Sequence, residues 1–111
     1  MCSSDLVAHF QNTRFKLAEM RTQIDVAQVF TDRCVMDHNQ KKLSPEVAAE
    51  AKLFTTELLG KVVDEGVQLH GGWGYMWEYP ICRMYANARI QRIFAGTSEI
   101  MKEIISRGMK L

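Results

Sequence analysis

Only two prolines, at positions 45 and 80, interrupt this chain of 111 residues, and between Asp5 and Lys42 there is neither proline nor glycine. Those two residues are the strongest helix breakers, proline through its missing donor and glycine through its conformational freedom. Cysteine is sparse as well. Cys2, Cys34 and Cys82 form an odd set without the spacing of a disulfide framework, which points to a reducing compartment. Cys34 and His38 share a helix face, but half a metal site without a second ligand pair nearby reads as a buried thiol beside a surface imidazole. No apolar run approaches the ~20 residues of a membrane span, and the N-terminus has no signal-peptide apolar region. Fourteen basic residues face thirteen acidic ones, so neither nucleic acid nor an anionic membrane is expected as a partner. Strand-like alternation, internal repeats and low-complexity tracts are missing too.

What is there is helical periodicity. The length supports one domain with a modest core, burying roughly 60–70% of the unfolded surface. Apolar residues at Phe10, Leu17, Met20, Ile24, Ala27 and Cys34 recur every three to four positions, predicting one helix from Asp5 to about residues 37–40. Ser44-Pro45-Glu46 marks a second start: serine caps a free N–H, proline suits the first helical position, and glutamate favours the positive end of the dipole. Val47, Ala51, Phe54, Leu58, Val62 and Leu69 continue that helix until Gly71 and Gly72 end it. A shorter helix is predicted from Pro80 to about Ala88, and another from Glu99 to about Ser106, with Thr97 or Ser98 as its cap and Ile100, Met101, Ile104 and Ile105 on an apolar face. The fold class is therefore all-α, an up-down helical bundle with two long antiparallel helices and two shorter C-terminal ones. Residues 1–5 read as a disordered end or cloning remnant and residues 6–111 as the bundle domain. Long helices of about 40 Å expose more apolar edge than two short ones cover, so a homo-oligomer or a neighbouring domain is expected.

Two junctions hold the candidate chemistry. Gln68-Leu69-His70-Gly71-Gly72 is either a helix C-cap and turn, or a surface where side-chain-free glycines let a phosphate or sugar approach the backbone. The helix dipole has the wrong sign for an anion there, so such a ligand would rely on individual N–H groups and on the Gln68 amide. Trp73, Tyr75, Trp77 and Tyr79 alternate through the next loop, as rings plugging the gap between helix ends or lining a pocket. Gly96-Thr97-Ser98-Glu99 is either a cap alone or a convergence of free N–H groups, two hydroxyls and a carboxylate that suits nucleotide hydroxyls or a thioester carbonyl. Arg83, Arg89 and Arg92 lie near it at helical spacing, solvated, ion-paired or anion-binding. His9 and His70 have no Ser or Cys nucleophile beside them, so a hydrolase triad is unsupported.

These residues resemble the C-terminal helical domain of the acyl-CoA dehydrogenases. The likeness spans about Leu6 to Leu111. It rests on Ala8-His9-Phe10-Gln11, Leu17-Ala18-Glu19-Met20, Gln68 to Tyr75, Glu78-Tyr79-Pro80 and Ala95 to Ile100, in that order. The run from Gln68 to Pro80 is most similar to the long-chain branch. The resemblance implies α,β-desaturation of acyl-CoA thioesters in fatty-acid oxidation, with a glutamate taking the α proton, FAD accepting the β hydride, and an electron-transferring flavoprotein as partner. It implies N-terminal and middle domains beyond this one, and a homo-oligomer, dimer or tetramer. Carried over by position, Gln11, Gln68, Leu69, His70, Gly71 and Gly72 would touch FAD bound mainly by an adjacent subunit. Thr97, Ser98 and Glu99 would touch the subunit's own FAD, and Phe94, Ala95 and Gly96 would border the acyl-CoA.

Three departures qualify what the resemblance implies. Ala95 occupies the position many relatives use for the catalytic glutamate, and a methyl group accepts no proton; the long-chain and isovaleryl branches keep their base on an upstream helix instead. Asn87 and Arg92 stand where relatives often carry aspartate and an uncharged residue, which implies loss of a local ion pair. An arginine that relatives place about eleven residues before Gln11 would precede Met1. The expected function is thus FAD and subunit contacts for an acyl-CoA dehydrogenase without the catalytic base, the isolated chain being inactive. The alternative is a free-standing helical oligomerisation module. The expected location is bacterial cytoplasm or, in a eukaryote, the mitochondrial matrix.

Overall fold

The computed structural model describes residues 10–110, and every regular element in that span is helical. Helix α1 runs Gln11–Asn39, α2 Pro45–His70, α3 Pro80–Ile90 and α4 Ser98–Gly108, with a 3₁₀ helix at Gly71–Tyr75 between α2 and α3. The expected two long and two short helices are present. The described part of α1 begins at Gln11, not at the expected Asp5: Phe10 is extended, with φ −69° and ψ 137°, and its carbonyl accepts the first helical bond from Arg14 N–H. Positions 5–9 lie outside the described residues. Apolar spacing alone could not locate this start, because no side chain caps it.

The other helix ends follow their local chemistry. Beyond α1, Lys41 takes a left-handed φ of 58°, while Lys42 N–H donates to Asp37 O at 2.7 Å and Lys41 N–H to His38 O at 3.0 Å. That pattern closes the orphan carbonyls of a helix terminus, with lysine where glycine is commoner. Ser44 Oγ accepts from Val47 N–H at 3.2 Å and Pro45 opens α2. Thr97 Oγ1 accepts from Ile100 N–H at 3.2 Å, so Thr97 is the α4 cap.

Helix α2 is the axis of the molecule, packing against α1, the 3₁₀ helix, α3 and α4. Its pairing with α1 is antiparallel: Lys16 near the start of α1 meets Glu65 near the end of α2 at 3.4 Å. The buried positions of α1 are Thr13, Ala27 and Cys34, with half-buried Met20 between them. This seven-residue spacing is that of a two-helix seam. In α2 the buried residues are Ala49, Leu58 and Val63, whereas Phe54, expected on its apolar face, is exposed. Ala88 and Met101 extend the core into α3 and α4.

This core is thin, and among the described residues no large side chain is fully buried. The radius of gyration is 16.9 Å, with extents of 54 × 28 × 24 Å, against about 13 Å for a compact domain of this length. The shape is elongated along the two long helices.

Candidate functional site

The first junction gathers at one end of the α1–α2 pair. Antiparallel packing brings exposed Gln11, at the start of α1, to the same end as Gln68, Leu69 and His70 at the end of α2. His70 Nδ1 lies 2.7 Å from Gly66 O. A carbonyl only accepts, so Nδ1 carries the proton and Nε2 is left without that bond. Gly71 has φ 64° and ψ −146°, a conformation open essentially to glycine alone, and this ends α2. Gly74 is needed for a different reason. A Cβ there would stand 2.7 Å from Val67 O and 2.8 Å from His70 Cβ, so the 3₁₀ helix seats on α2 only without a side chain at that point.

Gly72 is unlike both. Its φ is not positive, and a Cβ added to it meets nothing within 4 Å. Alanine would cost the chain less conformational entropy at such a position. Nothing within the described residues accounts for this glycine.

The aromatic run does not plug the helix ends as expected. Trp73 is 61% exposed, Tyr75 80% and Trp77 61%. Trp73 and Tyr79 pair as tilted rings 5.7 Å apart, but the short 3₁₀ element leaves the group on the surface of the bundle end. Arg83 donates to Trp77 O at 3.0 Å, which spends it on the loop rather than on an anion.

The second junction is the turn from α3 to α4, and α2 holds it at two points. Ala95 has φ 56° and Gly96 φ 111°, consecutive positive values that are rare for any residue with a Cβ. A Cβ on Gly96 would also stand 2.6 Å from Met101 Cε. Lys52 Nζ donates to Phe94 O at 2.7 Å and to Gly96 O. Glu57 accepts from Ser98 Oγ at 2.6 Å and from Arg92 Nη1 at 3.1 Å. Arg92 lies across Gly60, and its carbonyl accepts from Ser98 N–H at 3.1 Å. The ion pair implied to be lost near Arg92 is therefore replaced by one to Glu57. The Ser98 hydrogen bond, with Arg92 and Lys102 adding to it against the opposing effect of burial, holds the Glu57 carboxyl below the ordinary value of 4.5.

Of the expected grip, Ser98 is buried and both its hydroxyl and its N–H bond inward. Phe94, Ala95 and Glu99 are exposed, Gly96 and Thr97 half-buried. The N–H groups of Ala95, Gly96 and Thr97 donate to no group among the described residues. Neither Lys52 nor Glu57 was singled out by the sequence, since they lie 42 and 41 residues from their partners Phe94 and Ser98 and no local pattern signals such a pairing.

The two junctions are not one site within a chain. Lys52 and Gln68 are sixteen residues apart on α2 (52 to 68), about 24 Å at the helical rise.

The sequence profile of the family described as acyl-CoA dehydrogenase, C-terminal domain, matches residues 4–110. This chain belongs to that family. The long-chain specific acyl-CoA dehydrogenase, mitochondrial, of Sus scrofa is 52% identical over 101 residues, covering 91% of this chain and 24% of that protein. A probable acyl-CoA dehydrogenase of Bacillus subtilis is 40% identical over 103 residues, covering 91% and 27%. In structure, the acyl-CoA dehydrogenase from Geobacillus kaustophilus superimposes with a TM-score of 0.91 at 42% identity, over 94% of this chain and 27% of that one. The chain thus spans about a quarter of the length of the relatives it matches. The match to that family favours the acyl-CoA dehydrogenase C-terminal domain over a free-standing oligomerisation module.

The residues present fit a flavin nucleotide. At the first junction Gly72 leaves open surface that a phosphate or ribityl chain can approach, beside exposed Gln68 and Gln11. At the second, three N–H groups without partners and the Glu99 carboxylate supply acceptor- and donor-seeking groups together. Among the described residues no helix is long and apolar enough to cross a membrane.

Proposed function

We propose that this domain contributes half of each of two FAD sites, and the border of the acyl-CoA site, in a flavin-dependent dehydrogenase that desaturates acyl-CoA thioesters. Gln11, Gln68, Leu69, His70, Gly71 and Gly72 contact the FAD of an adjacent subunit. Thr97 and Glu99 contact the subunit's own FAD, with Ser98 beneath them anchoring the turn to Glu57. Phe94, Ala95 and Gly96 border the thioester. FAD, when bound, accepts the hydride from the β carbon. What this chain supplies is orientation: N–H groups for an oxygen that gains negative charge as the α proton leaves. It does not supply the base, because Ala95 carries only a methyl group where many relatives carry glutamate.

The observation that carries this reading is Gly72, a glycine the fold itself does not need, placed beside Gln68. Long-chain thioesters are the proposed substrates, given the 52% identity to a long-chain specific enzyme. N-terminal and middle domains complete the subunit, a dimer or tetramer completes the FAD sites, and an electron-transferring flavoprotein takes the electrons. A mitochondrial matrix or bacterial cytoplasmic location goes with that partner.

The test is anaerobic mixing of the full-length FAD-loaded subunit with saturated acyl-CoA thioesters of increasing length. Loss of the visible flavin absorbance with a long-chain thioester is expected, and the 111-residue chain alone should leave acyl-CoA unchanged. A full-length protein that bound FAD and was reduced by no thioester would refute the reading.

A further inference from the structure

Lys52 is a half-buried lysine that makes no ion pair among the described residues. Its ammonium bonds instead to two main-chain carbonyls, Phe94 O at 2.7 Å and Gly96 O. Those carbonyls belong to the residues on either side of Ala95, the one non-glycine in this turn with a left-handed φ. The Phe94 ring lies 6.0 Å from the same nitrogen, at the outer limit of a cation–π contact.

All peptide bonds of the described residues are trans. In a trans peptide the C=O of one residue and the N–H of the next point in opposite directions. Drawing the Phe94 carbonyl onto Lys52 therefore turns the Ala95 N–H away from α2. Drawing in the Gly96 carbonyl does the same to the Thr97 N–H. Both of these N–H groups lack a partner among the described residues. A cation on the oxygen of a peptide also polarises its N–H, strengthening it as a donor.

We propose that Lys52 is a positioning residue for thioester activation: from α2 it fixes the Ala95–Gly96 turn so that the Ala95 and Thr97 N–H groups face the bound thioester oxygen or flavin. This rests on the reading of the turn as the acyl-CoA border. Lys52 touches neither substrate nor cofactor. Glu57 secures the far end of the turn through Ser98 and Arg92, but it reaches no carbonyl of the turn itself. Among the described residues Lys52 is the side chain that bonds the carbonyls of this turn, beside the main-chain bonds Phe94 N–H to Ile90 O and Ser98 N–H to Arg92 O. A preorganised donor acts on charge that develops in the transition state, so the effect belongs in kcat more than in KM.

The experiment compares the full-length FAD enzyme with its Lys52→Met and Lys52→Arg variants, using a long-chain acyl-CoA for turnover and a carbonyl-labelled 2-enoyl-CoA for infrared difference spectra. Removing an oxyanion donor costs about 10²–10³ in kcat. Acting one peptide away, Lys52→Met is expected to cost roughly 10–100-fold in kcat with KM within a few-fold. The bound carbonyl stretch should move toward its value in water, and Lys52→Arg, which keeps charge and donors, should recover most of both. A folded, FAD-loaded Lys52→Met enzyme with parental kcat and carbonyl stretch overturns the proposal. If Lys52→Met fails to fold or to retain FAD, Lys52→Arg and Lys52→Gln decide: equal kcat and carbonyl stretch in both, at parental values, overturns it. Should the parent enzyme not act on thioesters at all, a crystal structure of the Lys52→Met protein separates the two ideas. An Ala95 that leaves the left-handed region and a Gly96 carbonyl that turns outward uphold Lys52 as the fixing residue; an unchanged turn overturns that role independently of the substrate.

Discussion

Three glycines within four positions do three different things here, and only one of them points to a ligand. Gly71 is glycine because φ 64° with ψ −146° excludes a Cβ, and Gly74 because Val67 O would be struck by one. Gly72 satisfies neither condition. The two kinds of glycine separate under one substitution. Gly71→Ala is expected to destabilise the fold by about 1–3 kcal/mol, the cost of holding a residue in a sparsely populated region. Gly72→Ala is expected to be neutral or stabilising by up to about 1 kcal/mol, through a less flexible unfolded chain. In the full-length subunit, however, Gly72→Ala should weaken FAD retention measurably, because the methyl group occupies the surface a phosphate or sugar approaches. Thermal melts and FAD release on dilution provide both readings. Unchanged FAD affinity in Gly72→Ala would leave this glycine without a functional explanation.

Between elements, the decisive contacts all start on α2. Glu57 joins α2 to the α3–α4 turn, and its carboxyl titrates below the ordinary 4.5, chiefly because Ser98 donates to it. An unfolded Glu57 therefore takes up its proton at a higher pH than the folded one. Its contribution is complete above 4.5 and is lost as pH falls through the lower folded value. With the side chain 39% exposed, the contribution is no more than about 1 kcal/mol. Glu57→Gln should flatten the fall of the melting temperature below pH 4.5 and change little at pH 7 beyond that amount; a parental acid slope in Glu57→Gln would count against this account. The helices themselves were legible in the sequence, because Ser44-Pro45-Glu46, Gly71 and Thr97 write their boundaries in local chemistry. The ties between helices were not. Lys52 and Glu57 look like ordinary polar positions of an amphipathic helix, and only the folded chain brings them to a turn more than forty residues away. The aromatic run failed for a related reason, since ring size predicts burial only where a neighbour exists to bury it.

For the molecule as a whole, α1 carries two apolar stripes rather than one. Thr13, Met20, Ala27 and Cys34 face α2, and the register advanced by two positions, about 200° around the helix, carries Phe15, Val29 and Met36, interrupted only by Thr22. These three are 57%, 71% and 58% exposed. A globular helix ordinarily has one apolar stripe and one polar face, so the second stripe calls for a partner outside this chain. The radius of gyration, above that of a compact domain, and the thin core say the same. Homo-oligomerisation predicts that the 111-residue chain runs in sedimentation well above its 12.7 kDa. Val29→Lys sits within the stripe at a position 71% exposed. It should return the chain toward monomer mass while altering stability by no more than about 0.5 kcal/mol, as a surface substitution does. A parent chain that sediments as a monomer at all concentrations would instead assign the stripe to the domains that precede this one in its relatives. In that event Val29→Lys would act only in the full-length subunit, where burying an unpaired ammonium against an apolar neighbour costs several kcal/mol.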